Sequence, residues 1–543
     1  MTDTMKLHAA IARALADNGV ETLFGLMGDG NMFMCDSFIR ECGGQFVAAA
    51  HEGGAALMAL GYASASGRLG VASVTHGPGL VNTMTALVQG VKGSTPMLLI
   101  CGDTPVEARG RLQDVPQREF ALVAGAGFEQ IRTPRTALLD VATAMRRAML
   151  ERRPIVLNAP VEFDWADVEY HAVPVVLPER RAVVQTSEDL DNAIGIIAGA
   201  RAPVIVAGRG ACSAEGRAAL LRLAQRIEAP LATTLKAKDL FAGEDFNLGI
   251  CGIEATPAAV ETIVESDCLI FFGASVTNAT SSKGSFLQGK RVIQINQEAE
   301  EIGKHAAPTV GLVGDPAGVA DLIVHWLDEA EIPSSGRYSD ELRERLRADI
   351  PVPGSARDNG NGTVDYVHAL VELDRIMPTD RLLVSDAGRF VRHSWTTLRT
   401  QGNSFVAPLD FGSIGLGLGY AIGAAFAFPD RPVVLVTGDG GLMNAGLSEF
   451  NTAVRHGLDL IVVVGNDRSY GAEHVKFTRR GRDPSKSMFD WPDFAPVAQA
   501  LGGEGVTVRG AGDWHQVEAA VASRRAPLLI DVKLDAALLT ASD

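Results

Sequence analysis

The sequence predicts an α/β protein built from three doubly wound parallel-sheet units. Continuous apolar runs of strand length, such as Cys268–Phe272 and Val433–Val436, alternate with longer helical patterns along the chain. Runs of this kind are typical of strands buried on both faces of a parallel sheet. The 543 residues exceed one ordinary domain, and the 58 glycines suit many tight turns between strands and helices.

Composition shifts predict the unit boundaries. The first unit is predicted over residues 1–165 and the second over residues 186–330. A polar linker with several prolines and glycines and one short charged helix is predicted over residues 331–362. The third unit is predicted over residues 363–543.

The net charge restricts the classes of partner, and the cysteine pattern indicates the redox compartment. The net charge is −16, so we expect neither nucleic acid nor an anionic membrane as a partner. Six cysteines are scattered without CxxC spacing, as expected of reduced residues in a cytoplasmic protein. The start Met1-Thr2-Asp3-Thr4 does not have the pattern of a secretion signal.

Two polar turns follow neighbouring predicted strands in the third unit. Gly438-Asp439-Gly440 follows Val433–Val436, and Asn466-Asp467 follows Leu460–Val464, with a helix-length segment between them. The two strands of such a β-α-β unit end side by side. Oxygen ligands from both strand ends, with a backbone carbonyl from the next turn at Ser469, suit Mg²⁺ shared with phosphate oxygens. The sequence therefore predicts a diphosphate and metal clamp at this sheet edge.

With three further motifs, the chain resembles the thiamine diphosphate (ThDP) enzymes of the acetolactate synthase and benzaldehyde lyase group. The clamp is similar to the family's GDG and NN elements. The other motifs, in family order, are His51-Glu52-Gly53-Gly54-Ala55-Ala56, Gly77-Pro78-Gly79-Leu80-Val81-Asn82 and Leu112-Gln113-Asp114. The resemblance covers nearly the whole chain. It implies a pyrimidine-binding first unit, a central unit and a diphosphate-binding last unit.

The resemblance also implies catalytic roles. Glu52 corresponds to the glutamate that hydrogen-bonds the cofactor's pyrimidine ring and activates it, and Gln113 to the active-site glutamine. His76, at a position where relatives have a small residue, is a further candidate to bind a substrate carbonyl or relay a proton. For Glu52 the competing interpretation is an ordinary acid at a helix start, and for His76 it is a hydrogen-bonded structural residue.

Further residues are assigned to the cofactor, the metal and the substrate. Ile414 falls where relatives place a large apolar residue under the bend of the cofactor. The residues expected to bind the cofactor are Asn82, Gly388, Arg389, Gly412, Ser413, Ile414, Gly438, Asp439, Gly440, Asp467, Tyr470 and Gly471. The expected metal ligands are Asp439, Asp467 and Ser469, and the expected substrate-pocket residues are Gly28, Tyr470, Glu473 and His474. Plain core for Ile414 and solvated surface for Arg389 and the Tyr470–His474 group remain alternatives.

The chain departs from the family pattern at the second clamp element. Counted back from Tyr470 and Gly471, the family's metal-binding asparagine corresponds to Asp467. Counted from Asp439, Asn466 is also in reach, because the segment between Gly441 and Ser448 is one residue longer than usual. We favour Asp467.

The resemblance implies a ThDP- and Mg²⁺-dependent carbon–carbon lyase or ligase acting on 2-oxo acids, in the manner of acetolactate synthase. A benzaldehyde-lyase-like acyloin lyase or carboligase, a simple 2-oxo acid decarboxylase and, from another class, a non-catalytic nucleotide- or flavin-binding module are the alternatives. No FAD is expected, because Gly273–Ala279 lacks the arginine and the acidic pair of flavin-binding members. In the family one subunit binds the pyrimidine half and another the diphosphate, so we expect at least a homodimer and favour a homotetramer.

Overall fold

Within the part of the chain that the structure describes, three six-stranded parallel sheets flanked by helices confirm the predicted fold class. The structure is a computed structural model and describes residues 3–105, 107–108, 110–178, 187–348, 358–389 and 391–538. Its described residues form two compact units. One lies within Met1–Pro178, Ser355–Val391 and Val406–Asp543, and the other within Glu179–Gly354 and Arg392–Phe405. Within these residues, no helix combines the length and the apolar character needed to cross a membrane.

The N-terminal sheet has the strand order β3-β2-β4-β5-β7-β6, and a separate antiparallel pair joins β1 to β8. Its central strands are apolar and buried, as the sequence predicts. The strands are β1 Asp3–Lys6, β2 Thr22–Gly25, β3 Gln45–Ala48, β4 Gly70–Val74, β5 Met97–Asp103, β6 Gly127–Gln130, β7 Pro154–Pro160 and β8 Asp167–Tyr170. The helices are α1 Leu7–Asp17, α2 Met32–Arg40, α3 Glu52–Ser66, α4 Pro78–Val81, α5 Met84–Lys92, α6 Gln117–Val123 and α7 Ala137–Glu151.

The central sheet has the order β11-β10-β9-β12-β13-β14. Its strands are β9 Pro203–Ala207, β10 Leu231–Thr233, β11 Asn247–Ile250, β12 Cys268–Phe272, β13 Arg291–Asn296 and β14 Val310–Val313. Its helices are α8 Glu188–Ala198, α9 Ala214–Ile227, α10 Pro257–Val264, α11 Pro316–Glu329 and α12 Asp340–Ala348. Helix α12 is the charged helix of the predicted linker, and its Leu342 and Leu346 are buried in the core of the central sheet. Residues 349–357 of that linker lie outside the described residues.

The C-terminal sheet has the order β16-β15-β17-β18-β20-β19. Its strands are β15 Leu382–Ser385, β16 Phe405–Val406, β17 Val433–Gly438, β18 Leu460–Asn466, β19 Glu504–Val508 and β20 Leu528–Lys533. The helices of this region are α13 Tyr366–Ile376, α14 Val391–Thr397, α15 Gly417–Ala427, α16 Asp439–Gly441, α17 Leu447–Arg455, α18 Gly471–Arg479, α19 Phe494–Ala500 and α20 Trp514–Ser523. A π-helical turn, Leu442–Gly446, separates α16 from α17.

Helices α3 and α15 pack together and join the N-terminal and C-terminal sheets into one hydrophobic core. Both helices are apolar on nearly every face, as expected of buried helices. Glycines allow the close approach: a Cβ added at Gly61 or at Gly423 would lie closer than 3.0 Å to the backbone of Tyr420 or of Met58. The glycines of both helices therefore allow their backbones to pack directly against each other.

Gly423→Ala is expected to lower the free energy of unfolding by about 3 kcal/mol, because the new methyl group would collide with the Met58 carbonyl and force the two helices apart. The matched control is Gly195→Ala in α8, where an added Cβ has no neighbour within 4 Å. Alanine has the higher helix propensity, so the control should gain about 0.5–1 kcal/mol. Urea denaturation measures both, and equal midpoints would contradict the close packing.

Candidate active site

The predicted β-α-β unit is present. Strands β17 and β18 pair in parallel with Gly438 opposite Gly465, and α17 forms the crossover between them. Asp439 follows β17 directly, and Asp467 follows β18 directly. The parallel register therefore brings both carboxylates to the same edge of the sheet.

Asp439 and Asp467 form a buried carboxylate pair. The side chain of Asp439 accepts hydrogen bonds from the backbone amides of Gly440 at 2.6 Å and Arg468 at 2.7 Å. Burial raises the pKa of the Asp439 carboxyl, and the negative charge of Asp467 raises that pKa further. Asp467 Oδ2 is buried and has no hydrogen-bond partner among the described residues. Two like charges held out of water destabilise each other unless one carboxyl takes up a proton or a cation lies between them.

Asn466, the competing metal ligand, is oriented by a neighbouring strand. Its Nδ2 donates to Asp531 Oδ1 at 3.0 Å, and Asp531 is fully buried and also accepts from the Phe494 amide at 2.8 Å. Rotating the amide would place its oxygen against that carboxylate, so Asp531 fixes the orientation. The amide nitrogen of Asn466 is thus directed towards β20, and its Oδ1 is buried without a hydrogen-bond partner among the described residues. After burial, the charge of Asp467 is the largest cause of the raised pKa of Asp439.

The turn after β18 closes over the clamp. The backbone amide and hydroxyl of Ser469 both donate to Asp467 Oδ1 at 2.9 Å. The ring of Tyr470 covers Gly440, where an added Cβ would lie 2.7 Å from ring carbons, and also contacts Phe489 at 4.6 Å between centroids. Gly440 is therefore needed for Tyr470 to pack here.

A π-helical turn, Leu442–Gly446, lies in the segment that the sequence predicts to be one residue longer than usual. A π-turn is how an α-helix absorbs one inserted residue, and such turns are frequent at functional sites. In this turn the Asn444 side chain donates to the Ile414 carbonyl at 3.3 Å. The insertion thus contacts the loop that carries Ile414.

A residue that the sequence analysis did not single out, Asp386, organises the Ile414 loop. It follows β15, is fully buried, and accepts hydrogen bonds from the amides of Gly415 at 3.0 Å and Gly417 at 3.3 Å. Thr437 donates to the same carboxylate at 2.9 Å. Burial raises the pKa of Asp386, and these donors oppose the rise. Its position directly after a buried strand, like that of Asp439, was the available signal.

The remainder of the Ile414 loop is open. Gly412 has a positive φ of 76° and no neighbour within 4 Å of an added Cβ, which explains the glycine by backbone conformation. The Ser413 hydroxyl donates to the Ile414 carbonyl at 3.2 Å, and the Ile414 side chain is half-buried.

Arg389 lies beside the clamp. A Cβ added at Gly471 would lie 3.4 Å from Arg389 Cδ and 3.5 Å from Asp467 Oδ2. The positive charge of Arg389 lowers the pKa of Asp467, although burial raises that pKa overall. Gly388, with φ 148°, is exposed and has no neighbour within 4 Å of an added Cβ.

The two predicted pocket residues of α18 differ in their exposure to solvent. His474 is buried, and its Nδ1 has no hydrogen-bond partner among the described residues. Glu473 is exposed and pairs with Lys476 at 3.6 Å.

In the N-terminal sheet, Glu52 is the first residue of α3, and Asn82 follows α4. Asn82 Nδ2 donates to Glu52 Oε2 at 2.9 Å. The predicted activating glutamate and the predicted asparagine are thus brought together. His51 provides the N-cap of α3, because its Nδ1 accepts from the Gly53 amide at 3.0 Å.

His76, Gln113 and Gly28 gather at the carboxyl end of β4. His76 is buried, and its Nδ1 has no hydrogen-bond partner among the described residues. Burial lowers the pKa of His76, so the ring is neutral near pH 7. The backbone of Gln113 abuts Gly77, and a Cβ at Gly28 would lie 2.9 Å from Thr75 Cβ.

Gln117, which the sequence did not indicate, supports this corner. Its Oε1 accepts from the Gly77 amide at 2.8 Å, and its Nε2 donates to the Gly102 carbonyl at 2.8 Å and to Asn158 at 2.6 Å.

Models of one protein family match the regions of the chain that contain the three sheets. The family model described as "Thiamine pyrophosphate enzyme, N-terminal TPP binding domain" matches residues 5–124, the central-domain model matches residues 190–323, and the C-terminal TPP binding domain matches residues 386–532. The chain belongs to the thiamine pyrophosphate enzyme family. Glu52 and Asn82 lie in the region matched as the N-terminal TPP-binding domain of this family, and Asp439 and Asp467 in its C-terminal TPP-binding domain.

Curated members of this thiamine pyrophosphate enzyme family resemble the chain over most of its length. Sulfoacetaldehyde acetyltransferase from Alcaligenes xylosoxydans xylosoxydans is 28% identical over 540 residues, covering 92% of this chain and 87% of the relative. The acetolactate synthase large subunit of Parasynechococcus marenigrum is 27% identical, covering 97% and 87%. Acetolactate synthase of Arthrospira platensis is also 27% identical, covering 97% and 93%.

The residues of the clamp fit a divalent cation shared with a diphosphate. The described residues contain no cluster of three or more His, Cys, Asp and Glu side chains suited to a metal. Asp439 and Asp467, with one buried oxygen that lacks a partner, would supply only part of the coordination of a cation. The other ligands would have to come from groups that are not side chains. Phosphate oxygens, water and a backbone carbonyl are such ligands for Mg²⁺.

Proposed function

We propose that this chain is a ThDP- and Mg²⁺-dependent enzyme that forms or cleaves carbon–carbon bonds beside a carbonyl group, in the manner of acetolactate synthase. Its reaction is decarboxylation of a 2-oxo acid followed by carboligation to a second carbonyl. The observation that carries the proposal is the buried pair of Asp439 and Asp467, with one carboxylate oxygen unpartnered, in the region matched to a TPP-binding domain.

Asp439 and Asp467 would hold Mg²⁺ through their side chains and Ser469 through its carbonyl. Arg389 beside Asp467 would offset diphosphate charge, which matters in a chain of net charge −16. Gly388 and Gly412 have no side chain to obstruct an anion, so their backbone amides remain accessible.

When bound, ThDP supplies a carbon nucleophile and an electron sink. Glu52 would hydrogen-bond the pyrimidine nitrogen N1′ and share a proton with it, and Asn82 holds the Glu52 carboxylate in one orientation. Neutral His76 would hold or transfer a proton at a substrate carbonyl oxygen. Gln113 would hydrogen-bond that same carbonyl, and Gly28 and His474 would line the pocket.

We also propose that the chain acts as a homodimer at minimum, and as a homotetramer in its usual state, in a reducing cytoplasm. All six cysteines are unpaired, and five of them are buried. Flavin is not part of the proposal, and a flavin absorption band in the purified protein would contradict that point.

A substrate screen tests the reaction. With ThDP and Mg²⁺ added, we expect CO₂ release from pyruvate or another 2-oxo acid and a carboligation product detected by mass spectrometry. Cleavage of an aromatic acyloin without CO₂ release would favour the lyase alternative. Consumption of sulfoacetaldehyde would favour the activity named for one group of relatives. Absence of any heat of ThDP binding in the presence of Mg²⁺ would overturn the proposal.

A further inference from the structure

Glu449 of α17 extends from the C-terminal sheet region into the loop that precedes Glu52. Its side chain is 1% exposed. Glu449 Oε1 accepts from the His51 amide at 3.1 Å and the Ala50 amide at 3.2 Å, and Oε2 accepts from the Ala50 amide at 3.1 Å. Thr452 donates to Oε2 at 2.8 Å. The carboxylate is therefore fully occupied in holding two successive amides of the loop.

The same helix holds the start of the loop. Arg455 donates to the Ala48 carbonyl at 2.6 Å and to the Thr452 hydroxyl at 2.9 Å. Ala48 is the last residue of β3, and His51 is the N-cap of α3. Helix α17 thus fixes both ends of the short connection between β3 and α3.

Gly54, in the first turn of α3, makes this approach possible. A Cβ at that position would lie closer than 3.0 Å to Glu449 Oε1, so any larger residue would displace the carboxylate. The Glu449 carboxylate therefore packs directly against the backbone of the first turn of α3, next to Glu52.

We propose that Glu449 is a positioning residue for Glu52. Glu52 is the first helical residue after the loop that Glu449 holds. Among the described residues, Asn82 is the side chain that hydrogen-bonds its carboxylate. Glu449 holds the backbone before Glu52, and Asn82 holds the Glu52 side chain. Together they define where the Glu52 carboxylate meets the cofactor. This inference rests on the proposed role of Glu52 in activating ThDP.

The test is the rate at which the cofactor's C2 proton exchanges with deuterium in the holoenzyme, measured by NMR, together with ThDP affinity from calorimetry. Glu449→Gln keeps the size of the side chain but turns an amide group towards the backbone donors. We expect it to slow exchange by about tenfold, as is typical when a group that orients another is lost, with ThDP affinity nearly unchanged. Gly54→Ala disturbs the same carboxylate from the opposite side and should slow exchange in the same way.

Two controls separate the possible outcomes. Val454→Ala removes core packing from the same helix and should lower the unfolding midpoint without slowing exchange. Glu52→Gln sets the rate expected when activation is lost. Wild-type exchange in both Glu449→Gln and Gly54→Ala, with slow exchange in Glu52→Gln, would overturn the role of Glu449 and leave the proposed function intact. Normal exchange in Glu52→Gln, or no ThDP binding by the wild type, would instead overturn the proposed function.

Discussion

Glu52→Gln is expected to reduce turnover by at least about 10²-fold while ThDP still binds. Glutamine has nearly the same size and can still contact Asn82, but it cannot carry the negative charge that shares a proton with the pyrimidine nitrogen. Turnover is measured with the best substrate from the screen, and ThDP affinity is measured by calorimetry. The matched control is Glu21→Gln, which removes an exposed acid that pairs with Arg68 in the same sheet region and should leave turnover unchanged.

The same variant distinguishes the two interpretations of Glu52. As an ordinary acid in the first turn of α3, Glu52 would contribute only about 0.3–1 kcal/mol through the helix dipole, and the variant would be slightly less stable but fully active. As the activating residue, it would lose activity with little change in stability. Unchanged turnover would therefore contradict the proposed mechanism, and loss of ThDP binding would reassign Glu52 to cofactor binding.

The proximity of the two polar turns was predictable because it depends on features close together in the sequence. Apolar runs bounded by Pro432 and Gly438 indicated strands, and parallel strands of one β-α-β unit end together, so the proximity of Asp439 and Asp467 followed from the order of the elements. The structure extends β17 to Gly438 and β18 to Asn466, which places the polar residues directly at the strand ends.

Glu449 and Gln117 could not be found in this way. Glu449 contacts the amide of Ala50, 399 residues earlier in the chain, and helical periodicity only places it on the buried side of α17. Gln117 lies on the first turn of a short helix, and its partners Gly77 and Asn158 come from two other segments. Roles that depend on contacts between distant segments have no local sequence pattern.

Residue counts and small-residue patterns gave partial information. Counting indicated one extra residue before Ser448, but the π-turn that absorbs it depends on how α17 packs. Glycines in α15 permit a close approach, but glycine does not specify the partner, which is α3. In the same way, residue counting favoured Asp467 over Asn466 but could not show that the amide nitrogen of Asn466 donates to Asp531.

Asp467→Ala is expected to weaken divalent metal binding by at least about 100-fold, because it removes a buried carboxylate that has an unpartnered oxygen beside Asp439. Asp467→Asn, which restores the residue of the family signature, keeps an oxygen ligand and should retain metal within about tenfold of the wild type. Mn²⁺ titration followed by electron paramagnetic resonance, with ThDP present, measures the affinities. Asn466→Ala is the matched control, and a larger loss there than in Asp467→Ala would make Asn466 the ligand.

The metal-free protein should respond to Asp467→Asn in the opposite direction. Without a cation, burial and the charge of Asp467 raise the pKa of Asp439 to about 8. Above that pH, where both carboxylates are ionised and repel each other, removing one charge is expected to raise the free energy of unfolding by about 1 kcal/mol. Added Mg²⁺ should then stabilise the wild type more than the variant, because only the wild type has that repulsion to relieve. Thermal unfolding with chelator and with Mg²⁺ measures both states. A variant that is less stable than the wild type under chelator would mean that Asp467 is held by hydrogen bonds from Ser469 strongly enough to outweigh the repulsion.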